Sequence, residues 1–164
     1  MPSNSSVATI IGIYSGIVLI TVYFMEFVLG YKPCDLCVIQ RYPYFTLVIL
    51  SVAFITLTKK GKIINKLIPP IAIISCIFIG LFIAIYHFGI ENYLWKNLSS
   101  CSDQLIGINI DTDNLLLDLD QIKPNCSDPV EIFSLSLSGY NIISNTIMLG
   151  ISIYGYFFFR RKSN

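Results

Sequence analysis

Four long apolar runs dominate the chain, at residues 7–29, 38–58, 68–88 and 138–159. A helix rises about 1.5 Å per residue, so a run of roughly 20 residues crosses a hydrocarbon core about 30 Å thick. The runs are apolar all round rather than striped, which suits helices facing lipid and one another. Composition agrees: 54% of the 164 residues are hydrophobic and 13% are charged, where soluble domains carry about 25% charged residues. A water-soluble globule of this size has too little polar surface to cover it, and an intrinsically disordered chain is excluded more firmly still. The net charge of +1 argues against nucleic acid as the main partner. The sequence predicts an all-α membrane protein, one integral membrane domain over 1–164, built as an up-and-down bundle of four transmembrane helices.

The charges orient these spans. Lys59, Lys60, Lys62 and Lys66 lie between the second and third runs, and Arg160, Arg161 and Lys162 follow the fourth; they are seven of the eleven basic residues. The positive-inside rule places both termini and this middle loop in the cytoplasm. The residues before position 7 carry no basic group, and the first run lacks a small-residue cleavage site, so it reads as a retained helix rather than a signal peptide. The short connection 30–37 and the long segment 89–137 then face outward. The long segment is acidic, with Glu91, Asp103, Asp111, Asp113, Asp118, Asp120, Asp128 and Glu131 against Lys96 and Lys123. It also holds apolar clusters around Leu94–Trp95 and at 115–122, a pattern expected of pieces lying along a membrane surface.

Four of the five cysteines fall on that outer side, where disulfides persist. Cys34 and Cys37 form a C-x-x-C that runs directly into the second span. Four chemistries use such a pair, and c-type haem attachment fails at once, because it needs His directly after the second cysteine, where Val38 stands. A zinc half-site needs two further ligands, for which Cys101 and Cys126 lack the close spacing of ribbons and fingers. A structural disulfide there closes too small a ring to staple the long segment. A redox pair fits best, because the partial positive charge of a helix start stabilises thiolate, the attacking and leaving species of disulfide exchange. Cys101 and Cys126 bracket part of the long segment; as a simple staple they are worth about 3 kcal/mol or a little more, and as a second redox pair they can pass electrons by exchange. Cys76, deep in the third span, reads as a small packing residue. The Gly12-x-x-x-Gly16 spacing permits a close helix contact.

Ionisable groups inside a span are costly and usually functional. Glu26, Arg41 and His87 sit on three different spans, each within about a turn of the same outer boundary. Arg41 follows Cys37 by four residues and shares its helix face. Arg41 and His87 together can hold a polar carbonyl ligand, with Glu26 offsetting the charge of Arg41. Alternatively, Arg41 and Glu26 snorkel to the interface with no chemical role. Pro43 is expected to kink or delay the helix.

The run Cys34-Asp35-Leu36-Cys37-Val38-Ile39-Gln40-Arg41-Tyr42-Pro43-Tyr44 resembles the C-x-L-C-x-x-Q-R-x-P-Y signature of the DsbB family, bacterial disulfide-bond formation protein B. Tyr86-His87-Phe88-Gly89-Ile90-Glu91, with Leu94-Trp95 and Cys101 beyond it, resembles the family's third-span exit, and Leu135-Ser136-Leu137-Ser138-Gly139-Tyr140-Asn141 its fourth-span entry. With the four-span topology the resemblance covers essentially the whole chain. It implies a quinone-dependent thiol oxidoreductase of the bacterial inner membrane that reoxidises a soluble periplasmic thiol oxidase, DsbA. On that resemblance Cys101 and Cys126 form the disulfide met by the partner, and Cys34–Cys37 passes two electrons to ubiquinone or menaquinone. Cys37 stands nearest the quinone, supported by Arg41 with Gln40, His87 and Glu26, while Cys34 exchanges with the outer pair. Vitamin K epoxide reductase homologues carry similar cysteine pairs, but there the outer pair precedes the C-x-x-C, whereas here it follows. A non-catalytic membrane scaffold stapled by two disulfides is the reading from a different class.

Overall fold

A computed structural model describes residues 4–61, 68–95, 126, 131–132 and 134–163. Helix α1 spans Asn4–Phe27, α2 spans Asp35–Ile39, α3 Arg41–Lys59, α4 Ile68–Glu91 and α5 Leu137–Ser163. The fold is mostly helical but not wholly so. Strands β1 (Glu131–Ile132) and β2 (Leu135–Ser136) form a two-residue antiparallel hairpin, pairing Glu131 with Ser136 and Ile132 with Leu135. The all-α expectation missed it because so short a pairing leaves no alternating pattern in the sequence.

Among the described residues, three helical stretches are long and apolar enough to cross a membrane: Ser6–Phe27, Asp35–Lys59 (α2 and α3 together) and Ile68–Glu91. The fourth apolar run also forms a helix, α5, which is less apolar than the others: it carries Ser138, Asn141, Ser144, Asn145 and Thr146 in its first half and continues into Arg160, Arg161 and Lys162. Helix α1 packs mainly on α3, α3 on α4, α4 on α5, and α5 returns to α1. The shared core includes Ile11, Leu47, Ile77 and Met148. Outward lie Ile20 at 71% exposure and Phe82 at 74%, while Ser15, Ser51 and Asn145 are buried at 1% or less. An outer surface this apolar, with polar side chains buried among the core residues, is the arrangement that a lipid surround favours.

Local chemistry sets the element ends. The chain leaves α1 through Gly30, at φ +73°, with the Tyr31 N–H returning to the Met25 carbonyl; a positive φ is the conformation glycine adopts without strain. The apolar run around the C-x-x-C is interrupted at Gln40, between α2 and α3. Pro43 has no N–H to offer the Ile39 carbonyl four residues back, and its ring crowds that carbonyl. At Gly12 the α1–α3 approach is close enough that a β-carbon would stand 2.8 Å from Ser51 Cβ, whereas Gly16 faces open space. The G-x-x-x-G spacing therefore marks a helix contact at one of its two glycines. Past α4 the chain folds back, so that Trp95 stacks on Tyr86 and donates its indole N–H to the Tyr86 carbonyl at 2.9 Å.

Candidate functional site

The C-x-x-C is built on the start of α2. Cys34 is the N-cap, in extended conformation, and its sulfur accepts the Cys37 backbone N–H at 3.3 Å. Its thiol in turn donates to Cys37 Sγ at 3.0 Å. That hydrogen bond, and then burial, push the Cys34 thiol up to about 12, against the lowering pull of His87. A helix start favours thiolate in general, but here the capping cysteine keeps its proton and directs it at the second sulfur.

Cys34 has two further neighbours of consequence. Cys126 is 1% exposed and joins Cys34, Leu36 and Ile90 in one buried cluster, with Cys37 and Tyr86 packed against it. One member of the outer cysteine pair thus reaches the C-x-x-C; Cys101 and most of the acidic segment lie outside the described residues. On another side, His87 Nε2 is 3.6 Å from Cys34 Sγ. The Sγ atoms of both cysteines and a His87 ring nitrogen all lie within 4.8 Å of one another.

His87 is fully enclosed, at 1% exposure. Its Nε2 also lies 3.5 Å from Glu91 Oε1, one turn along α4. The other Glu91 oxygen accepts the Ser138 hydroxyl. Ser136, just before α5, accepts the Gly139 N–H at 3.2 Å, as an N-cap serine does, and its hydroxyl meets that of Ser138 at 3.0 Å. On the other edge of the ring, Gln40 Nε2 is 3.0 Å from Nδ1. Gln40 Oε1 accepts from Asn141 Nδ2 at 2.7 Å. Asn141 Oδ1 receives the Tyr44 hydroxyl and, at 3.0 Å, Asn145 Nδ2. A continuous chain of side chains therefore leads from α5 to the sulfur of Cys34.

Beside these groups opens a cavity of about 590 Å³. Its walls are mostly apolar and include Ile17, Val18, Val22, Met25 and Leu137. Cys34, Cys37, Gln40, Arg41, Tyr44, Glu26, Glu91 and Asn141 supply its polar edge. Arg41 Nη1 donates to Glu26 Oε2 at 2.5 Å, and its guanidinium lies 5.0 Å from the centre of the Tyr23 ring. Four of the residues expected at a ligand (Cys37, Gln40, Arg41 and Glu26) thus share one cavity wall. His87 does not line it: expected beside Arg41, it stands behind Cys34 and Gln40, with its two ring nitrogens against them. Cys76 packs in the core, with its thiol 3.5 Å from the Pro43 carbonyl.

Sequence reasoning passed over Asn145, and it named Tyr44, Glu91, Ser138 and Asn141 within the family-like motifs with no role in the site. The signal was present: two asparagines one helical turn apart in an apolar run point inward to a partner. They bond to each other along the helix, but Gln40 and Tyr44 come from elsewhere in the fold, and that pairing is not encoded in local spacing.

Comparison with known proteins places these features in a family. The family model described as "Disulfide bond formation protein DsbB" matches residues 4–155. Among curated proteins, the chain is similar to an uncharacterized protein, RP370, of Rickettsia prowazekii (strain Madrid E), 28% identical over 152 residues that cover 90% of this chain and 84% of that protein. No solved structure matches it. A family match across nearly the whole length, on a chain whose C-x-x-C caps an apolar helix, shows that this protein belongs to the DsbB family of disulfide bond formation proteins.

Proposed function

We propose that the protein is a quinone-dependent disulfide oxidoreductase of the bacterial inner membrane. In this reading α5 is a fourth crossing helix, both termini are cytoplasmic, and the segment 89–137 carries Cys101 and Cys126 on the periplasmic side. It reoxidises a DsbA-like thioredoxin-fold partner and passes the electrons to ubiquinone or menaquinone.

The observation that carries the reading is the double placement of the C-x-x-C. Cys34 is packed with Cys126 in one buried cluster, and Cys34 and Cys37 both stand on the wall of the cavity. One cysteine pair thus adjoins both a thiol donor and a space for a lipid-soluble acceptor. The cavity falls within the roughly 300–1,000 Å³ of small-molecule sites, and its mostly apolar lining with a few convergent polar groups is typical of them. Its apolar walls suit a quinone's ring and tail, and the Arg41 guanidinium suits a carbonyl oxygen. A quinone held there supplies the capacity to take up two electrons and two protons.

The cysteines then work by exchange. The partner's dithiol becomes a disulfide as Cys101–Cys126 is reduced to two thiols. The Cys126 thiolate attacks Cys34 Sγ of the Cys34–Cys37 disulfide, that bond breaks, and Cys37 leaves as thiolate. Cys101 resolves the Cys34–Cys126 bond, restoring the outer disulfide and leaving Cys34 and Cys37 reduced. Arg41 orients the acceptor, and the apolar walls keep water from the sulfurs. The test is direct: purified protein, supplied with a reduced thioredoxin-fold partner and each quinone in turn, forms quinol. Absence of quinol with every quinone removes the reading.

A further inference from the structure

The amide chain beside the C-x-x-C has a fixed sense, and that sense determines the protonation pattern of His87. It begins at a group that cannot be turned over. Asn145 Nδ2 lies 2.9 Å from the backbone carbonyl of Asn141. A carbonyl only accepts, so this end of the Asn145 side chain is its NH₂. The same nitrogen is 3.0 Å from the Asn141 side chain, which must therefore present its oxygen. The Asn141 NH₂ is left to face Gln40 at 2.7 Å, so Gln40 meets it with oxygen and turns its own NH₂ toward His87 Nδ1 at 3.0 Å. A ring nitrogen facing an N–H donor must offer its lone pair. In a neutral imidazole the proton is then on Nε2.

We propose that Gln40 is a positioning residue that holds His87 as its Nε2–H tautomer, so that His87 presents an N–H, not a lone pair, to Cys34. The groups facing Nε2 are Cys34 Sγ at 3.6 Å and Glu91 Oε1 at 3.5 Å, both acceptors. His87 is accordingly a donor to the sulfur and not the base that removes its proton. The Cys34 proton points instead at Cys37 Sγ, 3.0 Å away. The same tautomer withdraws the Nε2 lone pair from the cysteine–histidine set, which as a metal site needs that lone pair. The catalytic meaning of this assignment rests on the oxidoreductase reading; the tautomer itself does not.

His87 is the chain's one histidine, so ring-¹⁵N-labelled histidine gives one Nδ1 and one Nε2 resonance. The experiment uses the full-length protein, reduced, in lipid nanodiscs at neutral pH. The expected spectrum has Nε2 protonated and Nδ1 unprotonated, in a ratio of about tenfold or more. Because Nε2–H is also common in free imidazole, two variants decide the cause. Gln40→Glu puts a carboxylate against Nδ1 and moves a proton onto it. Asn141→Asp, which does not touch His87, removes the NH₂ that Gln40 Oε1 requires. The Gln40 amide then turns over, and the proton moves to Nδ1 from a distance. Either folded variant with Nδ1 still unprotonated overturns the proposal, as does a wild-type ring with Nδ1 protonated. If one variant does not fold, the other decides. Quinol formation on the same wild-type sample separates the two readings: the expected tautomer behaviour without quinol refutes the oxidoreductase and leaves this assignment standing.

Discussion

The ion pair at the cavity mouth offers the sharpest energetic test. Arg41 and Glu26 come from different helices and meet at 2.5 Å, with side-chain exposures of 12% and 26%. Exposed ion pairs contribute about 0.2–1 kcal/mol. Both side chains are largely buried, so the larger range for a hydrogen bond between charged groups applies, about 1.5–3 kcal/mol. Glu26→Gln leaves the Arg41 charge without its counter-ion. Arg41→Gln leaves Glu26 likewise and also gives up the contact with Tyr23, worth about 0.5–1 kcal/mol.

The double variant removes both charges together. It should therefore be more stable than the sum of the single losses, by about 1.5–3 kcal/mol of coupling. Reversible unfolding in mixed detergent micelles, read by circular dichroism for all four proteins, measures that coupling. A value near zero means that the two side chains reach the interface independently. Glu26 then does not hold Arg41 in place for a ligand.

Four other outcomes follow from the same geometry. Cys37→Ser abolishes quinone reduction and Cys76→Ser leaves turnover largely intact, in a stopped-flow quinol assay; equal loss in both means that the active pair has been misassigned. Arg41→Ala raises the apparent KM for quinone more than it lowers kcat, measured across a quinone titration. Gly89→Ala drives the Trp95 ring from its place against the Gly89 α-carbon, costing about 1–3 kcal/mol; since Trp95 is the chain's one tryptophan, the displacement is read as an emission shift to longer wavelength. The reduced protein loses stability as pH rises from 9 toward 12, because the folded Cys34 thiol, at about 12 against an ordinary 9.0, keeps a proton that the unfolded chain has released; pH-dependent unfolding of Cys34→Ser lacks that slope.

Much of the site was legible before any coordinates, for identifiable reasons. The C-x-x-C at a helix start, the one-turn offset of Arg41 and the break expected near Pro43 are all local. They depend on helix geometry and on a missing N–H, which spacing alone encodes. Glu26 was linked to Arg41 by a weaker argument, that charges at one depth seek each other. His87 shows where such reasoning ends. Depth placed it near Arg41, but its orientation is set by Gln40 on one edge and by Cys34 and Glu91 on the other; Glu91 is one turn along the same helix, whereas Gln40 and Cys34 are brought in by tertiary packing. The burial of Cys126 against Cys34 is likewise invisible in sequence, because 92 positions of chain separate them.

The weaker apolarity of α5 has a specific location. Ser138, Asn141, Asn145 and Ser152 recur at helical spacings of three, four and seven, and Ser138, Asn145 and Ser152 are each at most 5% exposed. Tyr140, Ile143, Ile147 and Tyr154 occupy the other side and are 39–72% exposed. Part of the lowered average is the basic end at Arg160, Arg161 and Lys162, but within the apolar run Ser138, Asn141, Asn145 and Ser152 are turned away from the surroundings, and the bonded amides among them satisfy neighbours. An average over the whole helix counts this inward stripe against a membrane position, although a bilayer meets only the outward face. If α5 crosses the bilayer as proposed, its exposed apolar positions contact lipid and its stripe does not. Spin labels at Ile143 and Ile147 should then be quenched by lipid-soluble oxygen and protected from a water-soluble nickel chelate. Labels quenched by the chelate at both positions would show that this face meets water, and the fourth crossing would be lost.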